Sequence, residues 1–313
     1  MAEVSPVAGI DCSAERLDVH IYPLEQAFSV ANDELGWREL RRRLDQAQVR
    51  VVGLEATGGL ERGVTRYLVG KGCEVRVLNP ARVRQFAKAA GRLAKNDSID
   101  AQMIARFLVA VPTRPWVCDP QREKLAQLVA ARAQLLDHLT AEQNQARWHD
   151  DPVLRRIDKR RQSSLQADIQ TLDRRIAELI AADPQMAAKF DILRSMKGVG
   201  PILAATLMAF LPELGQLSRK QIAALAGVAP FDDQSGKRQG VRYIQGGRPV
   251  VRAPLYMAAL TAARYNPVLN AFHQKLRQAG KKPKVAIVAV MRRMLTILNA
   301  LLRDRVLWEN RLA

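Results

Sequence analysis

The sequence predicts an α/β domain at the N-terminus followed by a helical remainder, and three observations carry that prediction. Strand-like apolar runs alternate with amphipathic helical ones up to about residue 115, as in an α/β sheet layer. Beyond "PTRPW", no strand pattern appears between Gln121 and Ala182, where leucines and isoleucines recur at helical spacing. Charge is also uneven: Lys plus Arg is 49 against 31 for Asp plus Glu, yet residues 184–313 alone hold 21 basic and 6 acidic groups. Together these divide the 313 residues into an α/β domain (1–115), an all-α linker with coiled-coil tendency (116–183) and a mainly α C-terminal domain (184–313).

The elements follow in order. "PVAGIDCS" and "LDVHIYP" read as two strands around a turn at Ser13 to Arg16, and "AFSVAN" reads as a third. "DELGWRELRRRLDQA" places Leu35, Leu40 and Leu44 among charges, a helix. "VRVVGLEA" is a mostly apolar strand ending in Glu55; "GLERGVTRYLVGKG" is a helix stopping at Gly72; "CEVRVLNP" is a strand stopped by Pro80. A helix from about Ala81, a loop "RLAKN" and a helix beginning near Asp97 complete a mixed sheet layer. Pro112, Pro115 and Pro120 mark the linker. Leu165, Ile169, Leu172, Ile176 and Leu179 then form a short heptad seam, which suits packing against the chain's own domains as well as pairing with a second subunit. The last domain opens with helix, "KGVG" turn and helix, then Ser218 as an N-cap, a polar glycine-rich stretch "FDDQSGKRQGVRYIQGGRPV", and three further helices.

The charge excess, with pI near 10.4, favours polyanionic partners, nucleic acid before membrane. Residues 1–115 hold 17 basic and 14 acidic groups, and residues 116–183 hold 11 of each, so the polyanion surface belongs mainly to the last domain. Cys12, Cys73 and Cys118 lie far apart, and His20, His138, His149 and His273 show no ligand spacing, so neither disulfide framework nor zinc site is expected. The start reads as no signal peptide. "VAIVAVM" is too short and too flanked by charge to span a membrane, so no membrane and a cytoplasmic location are expected. No phosphate-binding "GK[ST]" loop follows a strand, so no nucleotide cofactor is expected.

Four carboxylates stand apart in this basic chain. Asp11 and Glu55 sit at strand ends, where ligands of open α/β sheets gather, and Asp97 and Asp100 sit one turn apart at a helix start. Singly, each reads equally well as a surface acid or a helix cap. As a set they read as a metal site for Mg2+ or Mn2+, whose hard ions stabilise attacking and leaving oxygens of a phosphoryl transfer.

"GIDCSAERLDVHI", "GLEATGG", "NDSIDAQMIARF" and "LAGVAPFDDQSGKRQGVRYIQGGRPVVRAPLYMAAL" resemble the transposases of the IS110 family, especially its IS1111 branch, over essentially the whole chain. The resemblance implies an RNase H-like (RuvC-like) N-terminal domain whose Asp-Glu-Asp-Asp set is Asp11, Glu55, Asp97 and Asp100. It implies a helical transposase domain in which Ser235 is a nucleophile. It further implies donor and target DNA as substrates, recognised through an element-encoded structured guide RNA. Related invertases share the layout, so site-specific inversion is the alternative to transposition. A RuvC-like endonuclease hydrolysing junctions, with Ser235 spare, is a second enzymatic alternative, and an architectural nucleic-acid-binding protein is the non-enzymatic one. Because strands must be broken in concert, a homo-oligomer, dimer or tetramer, is expected.

Composition alone would not select Ser235, since most loop serines are turn residues. The "KGVG" turn with Lys197 resembles a helix-hairpin-helix backbone clamp, though a plain helix corner fits it almost as well. Lys237, Arg238, Arg242, Arg248, Lys281, Lys282 and Lys284 are the larger candidates for contacting phosphates. Tyr243 reads either as a base-stacking residue or as packing, and Asp232 and Asp233 as a solvated turn.

Overall fold

The computed structural model describes residues 5–91, 97–232, 234, 235, 238, 239 and 242–308, with the side chains of 97, 98, 234, 235, 238 and 239 left out. The chain divides into two compact units, Met1–Cys118 and Asp119–Ala313.

The first unit is a five-stranded mixed sheet with helices. β1 (Val7–Cys12), β2 (Arg16–Tyr22) and β3 (Gln26–Ala31) form an antiparallel meander. α1 (Glu34–Gln46) leads to β4 (Val51–Glu55), and α2 (Arg62–Gly70) leads to β5 (Glu74–Leu78); both strands run parallel to β1, giving the order β3-β2-β1-β4-β5. α3 (Pro80–Ala89) and α4 (Asp97–Ala110) follow. Two apolar layers cover the sheet. Leu40 and Leu44 of α1 and Val64 and Leu68 of α2 pack with Ile10, Leu17, Val19 and Val52. Met103, Ile104, Phe107 and Leu108 of α4 pack with Val7, Leu78 and Val83. The 13 residues of α1 follow Asp33, whose carboxylate accepts from the Gly36 amide at 2.8 Å, so the sequence sets its start by a side-chain cap.

The second unit is helical. α5 (Pro120–Ala146) and α6 (Pro152–Ala181) form an antiparallel hairpin, as the pairings Arg132–Asp173 and Arg161–Glu142 require. α7 (Pro184–Ser195), α8 (Pro201–Phe210), α9 (Arg219–Leu225), α10 (Pro249–Tyr265), α11 (Pro267–Gln278) and α12 (Pro283–Asp304) follow. Asp-Pro opens three of these helices: Asp119, Asp151 and Asp183 cap α5, α6 and α7, and the proline takes the first helical position, where its missing N–H costs nothing. The heptad seam is used inside the chain. Ile176, Leu179 and Ile180 bury against Leu125 and Val129 of α5 and Ala205 and Ala209 of α8, and Ile169 is also buried. At the far end of the hairpin Trp148 is 84% exposed.

One expectation is corrected. α12 is 22 residues long and apolar enough to cross a membrane by length and composition, although the sequence reading found no such stretch. The "VAIVAVM" run is short, but the apolar pattern continues past Arg292 and Arg293 to Leu301. The helix is instead the centre of the unit's core. Val290, Met294, Leu295 and Leu298 are fully buried, in a helix that packs on α10, α11, α9 and α7. The buried Asn299 accepts from the Gly215 amide at 2.8 Å and donates to the Leu217 carbonyl at 2.9 Å.

Between α9 and α10 lie two short ribbons. β6 (Pro230–Phe231) pairs with β9 (Tyr243–Ile244), and β7 (Gln234–Ser235) pairs with β8 (Arg238–Gln239). The polar glycine-rich stretch thus carries two antiparallel ribbon pairings among its described residues.

Candidate functional site

The carboxylate site begins with two glycines. Gly9 of β1 and Gly53 of β4 are register partners. A Cβ on Gly9 would lie 2.2 Å from the Ala101 carbonyl oxygen and 2.4 Å from the Ala105 nitrogen, and one on Gly53 would lie 2.7 Å from Leu108 Cδ1. α4 therefore rests its backbone directly on this face of the sheet. Side chains two apart on a strand share a face, so Asp11 and Glu55 point to the face that α4 covers. Ile10 pairs with Leu54, which sets Asp11 and Glu55 side by side at the ends of neighbouring parallel strands. Asp100 is bonded to Ala101, the residue pressed on Gly9, so α4 carries it to the same side of the sheet. Asp97 is the first residue of α4, one turn earlier; its side chain lies outside the described residues.

The surroundings are acidic. Asp18 is the register partner of Asp11 across the antiparallel β1–β2 pair. Like charges directly opposite repel, and Asp18 is compensated by Arg16 Nε at 2.9 Å and Ser29 Oγ at 2.5 Å. Burial, then the charges of Asp11, Glu61 and Glu55, pushes the Cys12 thiol up to about 12, so this cysteine stays protonated. Glu61 was not singled out by sequence reasoning. It is buried, and its Oε2 accepts from the amides of Thr57 at 3.1 Å and Gly59 at 2.9 Å, which shapes the loop after Glu55. The signal for it was a second glutamate in "GLEATGGLE".

Oxygen donors in a negative field fit a hard divalent cation. Among the described residues, no group of three or more His, Cys, Asp and Glu side chains gathers as a metal site; the Asp97 side chain is outside that set.

In the second unit, Ser235 sits on β7 opposite Arg238 on β8, and the side chains of both lie outside the described residues, as Lys237 does entirely. Asp233 also lies outside them, while Asp232 and Arg242 form an exposed ion pair. Phe231 and Tyr243 are register partners, 38% and 50% exposed. Arg248 is half-buried and forks onto Glu213. Lys197 is exposed on the turn between α7 and α8, and its carbonyl accepts from Asn266 Nδ2 at 3.0 Å. Lys281, Lys282 and Lys284 are exposed at the start of α12. Cations at a helix N-terminus oppose its dipole, so these three lysines are not there to stabilise the helix.

Comparison with known proteins supplies the family. Residues 8–149 match a transposase model of the IS110 DEDD type, and residues 190–274 match the model described as "Transposase IS116/IS110/IS902 family". The two lie in chain order and together span most of the sequence. The chain belongs to the IS110 family of transposases. Within its relatives, the "Pilin gene-inverting protein" of Moraxella lacunata is 26% identical over 277 residues, covering 83% of this chain and 82% of that protein. The "Insertion element IS900 uncharacterized 42 kDa protein" of Mycobacterium paratuberculosis is 32% identical over 123 residues, covering 38% of this transposase and 31% of its relative. Among solved structures, "T. thermophilus RuvC in complex with Holliday junction substrate" matches at 15% identity with a TM-score of 0.28, covering 36% of this chain and 100% of that one, a likeness too loose to build on.

Proposed function

We propose that this transposase cuts and rejoins DNA strands through Ser235, with Asp11, Glu55, Asp97 and Asp100 as a divalent-metal site. The observation that most supports the carboxylate half is the shared face of Asp11 and Glu55, with α4 seated on Gly9 and Gly53 at that same face. The sheet order, a three-strand meander continued by two parallel strands, supports an RNase H-like reading of the first unit. Asp11 and Glu55 would hold Mg2+ or Mn2+ from the strand ends, and Asp97 and Asp100 would hold it from the helix. The ions, when bound, supply positive charge to the scissile phosphate and to the oxygen that departs from it.

Ser235 does what a water-based nuclease cannot. Its oxygen attacks phosphorus, and the new serine–phosphate ester forms as the bond to the 3′ oxygen breaks. The serine loses a proton and the 3′ oxygen gains one, so the number of phosphate esters is conserved and the 5′ end stays joinable. The acids act from the same copy or from another copy of the chain in a dimer or tetramer. Lys197, Lys237, Arg238, Arg242, Lys281, Lys282 and Lys284 grip phosphates of donor and target DNA, and of the element-encoded guide RNA that the IS110-type motifs imply. These motifs also carry the placement in the IS1111 branch. The work is done in the cytoplasm.

Labelled substrate DNA, incubated with protein, guide RNA and Mg2+ and run on a denaturing gel, tests the proposal. The wild type gives an adduct that protease removes, and S235A gives neither adduct nor cleaved ends while still binding both nucleic acids. Free cleaved ends from S235A at the wild-type rate would return the protein to the hydrolytic class. A second reading, site-specific inversion, is favoured by the similarity to a pilin gene-inverting protein along 83% of the chain. It shares the chemistry and differs in the arrangement of the joined ends.

A further inference from the structure

The segment that carries Ser235 leaves the helical core after Val228, which is buried, and returns to it at α10. Its outer rungs pair Pro230 with Ile244 and Phe231 with Tyr243; its inner rungs pair Gln234 with Gln239 and Ser235 with Arg238. A two-stranded ribbon of this length has little intrinsic stability, so its direction depends on how its base is held. At the base the incoming and outgoing strands cross at two glycines. Gly227 and Gly247 both have left-handed backbone (φ 70 and 71), and a Cβ on Gly247 would lie 2.1 Å from the Gly227 nitrogen. Arg252 Nη1 donates to the Gly246 carbonyl at 2.7 Å, and the Arg248 amide donates to the Leu225 carbonyl at 3.0 Å.

The Arg248 side chain extends from this crossing to the turn after α8. Its Nη1 and Nη2 each reach a Glu213 oxygen at 2.7 Å, and Nη1 also donates to the Phe210 carbonyl at 2.8 Å. Burial works against the Glu213 carboxylate, but the hydrogen bonds and charge of Arg248 outweigh it and hold the carboxyl below its ordinary value. A planar fork on a carboxylate fixes orientation as well as distance, which a lysine's single ammonium does not.

We infer that the Arg248–Glu213 pair is a positioning device: it locks the base of the ribbon to the α8–α9 corner and so sets the direction in which Ser235 is presented. The inference rests on the reading of Ser235 as the nucleophile. It gives Arg248 a different task from contacting phosphate, and the two tasks separate in experiment.

The test uses full-length R248K and R248Q, the isosteric E213Q and the charge-swapped double variant E213R/R248E. Three quantities are read: amide hydrogen exchange of residues 228–247 in the free protein, the single-turnover rate of adduct formation, and nucleic-acid affinity as a function of salt. For R248K and E213Q the ribbon amides should exchange roughly tenfold faster and the adduct should form roughly tenfold more slowly, the loss of one charge-assisted fork. Affinity and its salt slope should not change, and the double swap should recover part of the adduct rate. Unchanged exchange and unchanged adduct rate in both R248K and E213Q overturn the inference. So does an R248Q protein whose affinity falls and whose salt slope drops by about one, because loss of the charge then marks a phosphate contact. Should R248K not fold, E213Q carries the same readouts. A wild type that forms no adduct at Ser235 defeats the nucleophile reading alone, since exchange in the free protein still decides whether the pair holds the ribbon.

Discussion

Replacing Gly9 with alanine tests whether the seat of α4 on the sheet sets the carboxylate geometry. The added methyl would sit 2.2 Å from the Ala101 carbonyl oxygen and 2.4 Å from the Ala105 nitrogen, where ordinary contact begins at 3.4 Å. Both atoms are helix backbone, so no side-chain rotation relieves the clash, and the helix must withdraw by roughly 1 Å. Overpacking of that kind costs ~1–3 kcal/mol, or ~4–8 °C in melting temperature per kcal/mol for a domain of about this size. A 1 Å displacement of Asp97 and Asp100 from Asp11 and Glu55 should cost strand exchange about 100-fold. Gly53 is the control. Its methyl would meet Leu108 side-chain atoms, Cδ1 at 2.7 Å and Cγ at 2.9 Å, and no helix backbone, so G53A should lose less, and G53A/L108A should regain what was lost. The assays are thermal melting by circular dichroism and the rate of protein–DNA adduct formation with Mg2+ and guide RNA. A G9A protein that melts several degrees lower yet reacts at the wild-type rate would refute the claim that α4 positions the acids.

Other expectations follow from the same geometry. D11N, E55Q, D97N and D100N should each abolish strand exchange while leaving nucleic-acid binding largely intact, because they remove transition-state charge stabilisation and not the basic surface; gel shifts beside turnover would show it, and normal turnover in any one removes that residue from the site. I169D and I176D should destabilise the chain by several kcal/mol each, since a charge would be buried in the α5–α6 hairpin; a variant that keeps its melting temperature and merely dissociates, by light scattering, would instead place the seam between subunits. The buried His20 imidazole lies below its ordinary value of 6.5, through burial first, with Arg106 assisting and Glu25 opposing. The unfolded chain therefore binds the extra proton, so stability should fall as pH drops through about 6.5, and H20Q should flatten that dependence in melting curves recorded from pH 8 to 5.

The sheet was legible because each strand is short, apolar and punctuated. Glu55, Gly72 and Pro80 mark ends that the structure places within a residue or two. The helical unit was legible for a related reason: Pro120, Pro152, Pro184, Pro201, Pro249, Pro267 and Pro283 each open a helix. Pro120 had been read only as linker, yet with Asp119 it is a helix start. The full apolar length of α12 was hidden because Arg292 and Arg293 interrupt the run in sequence, whereas on the helix the buried flank, from Val290 through Met294 to Leu298, is continuous. Non-local pairings left no local trace. Glu213 and Arg248 are 35 residues apart, and nothing near either one predicts the other. Asp18 and Asp11 meet only through a strand register, and the roles of Gly9 and Gly53 exist only once α4 has folded back onto them.

The placement of acids in so basic a chain has an electrostatic logic. The net charge of +18 is concentrated in residues 184–313, while residues 1–115 are close to balance. Within the first unit several acids are matched to arginines on their own element: Glu39 with Arg42 and Arg43, Asp45 with Arg41, Glu74 with Arg76, Asp18 with Arg16. A metal-holding carboxylate beside a lysine-rich surface would be neutralised by that surface and would bind cations weakly. Along the chain the basic excess falls in residues 184–313, so the first unit itself carries no large cationic excess against its acids. The Cys12 thiol registers both the burial and the acidity of this end of the sheet: burial first, then Asp11, Glu61 and Glu55, pushes it up to about 12. On the proposed reading, a phosphate brought to these acids would be repelled unless a divalent cation stood between them, which would tie cleavage to the ion.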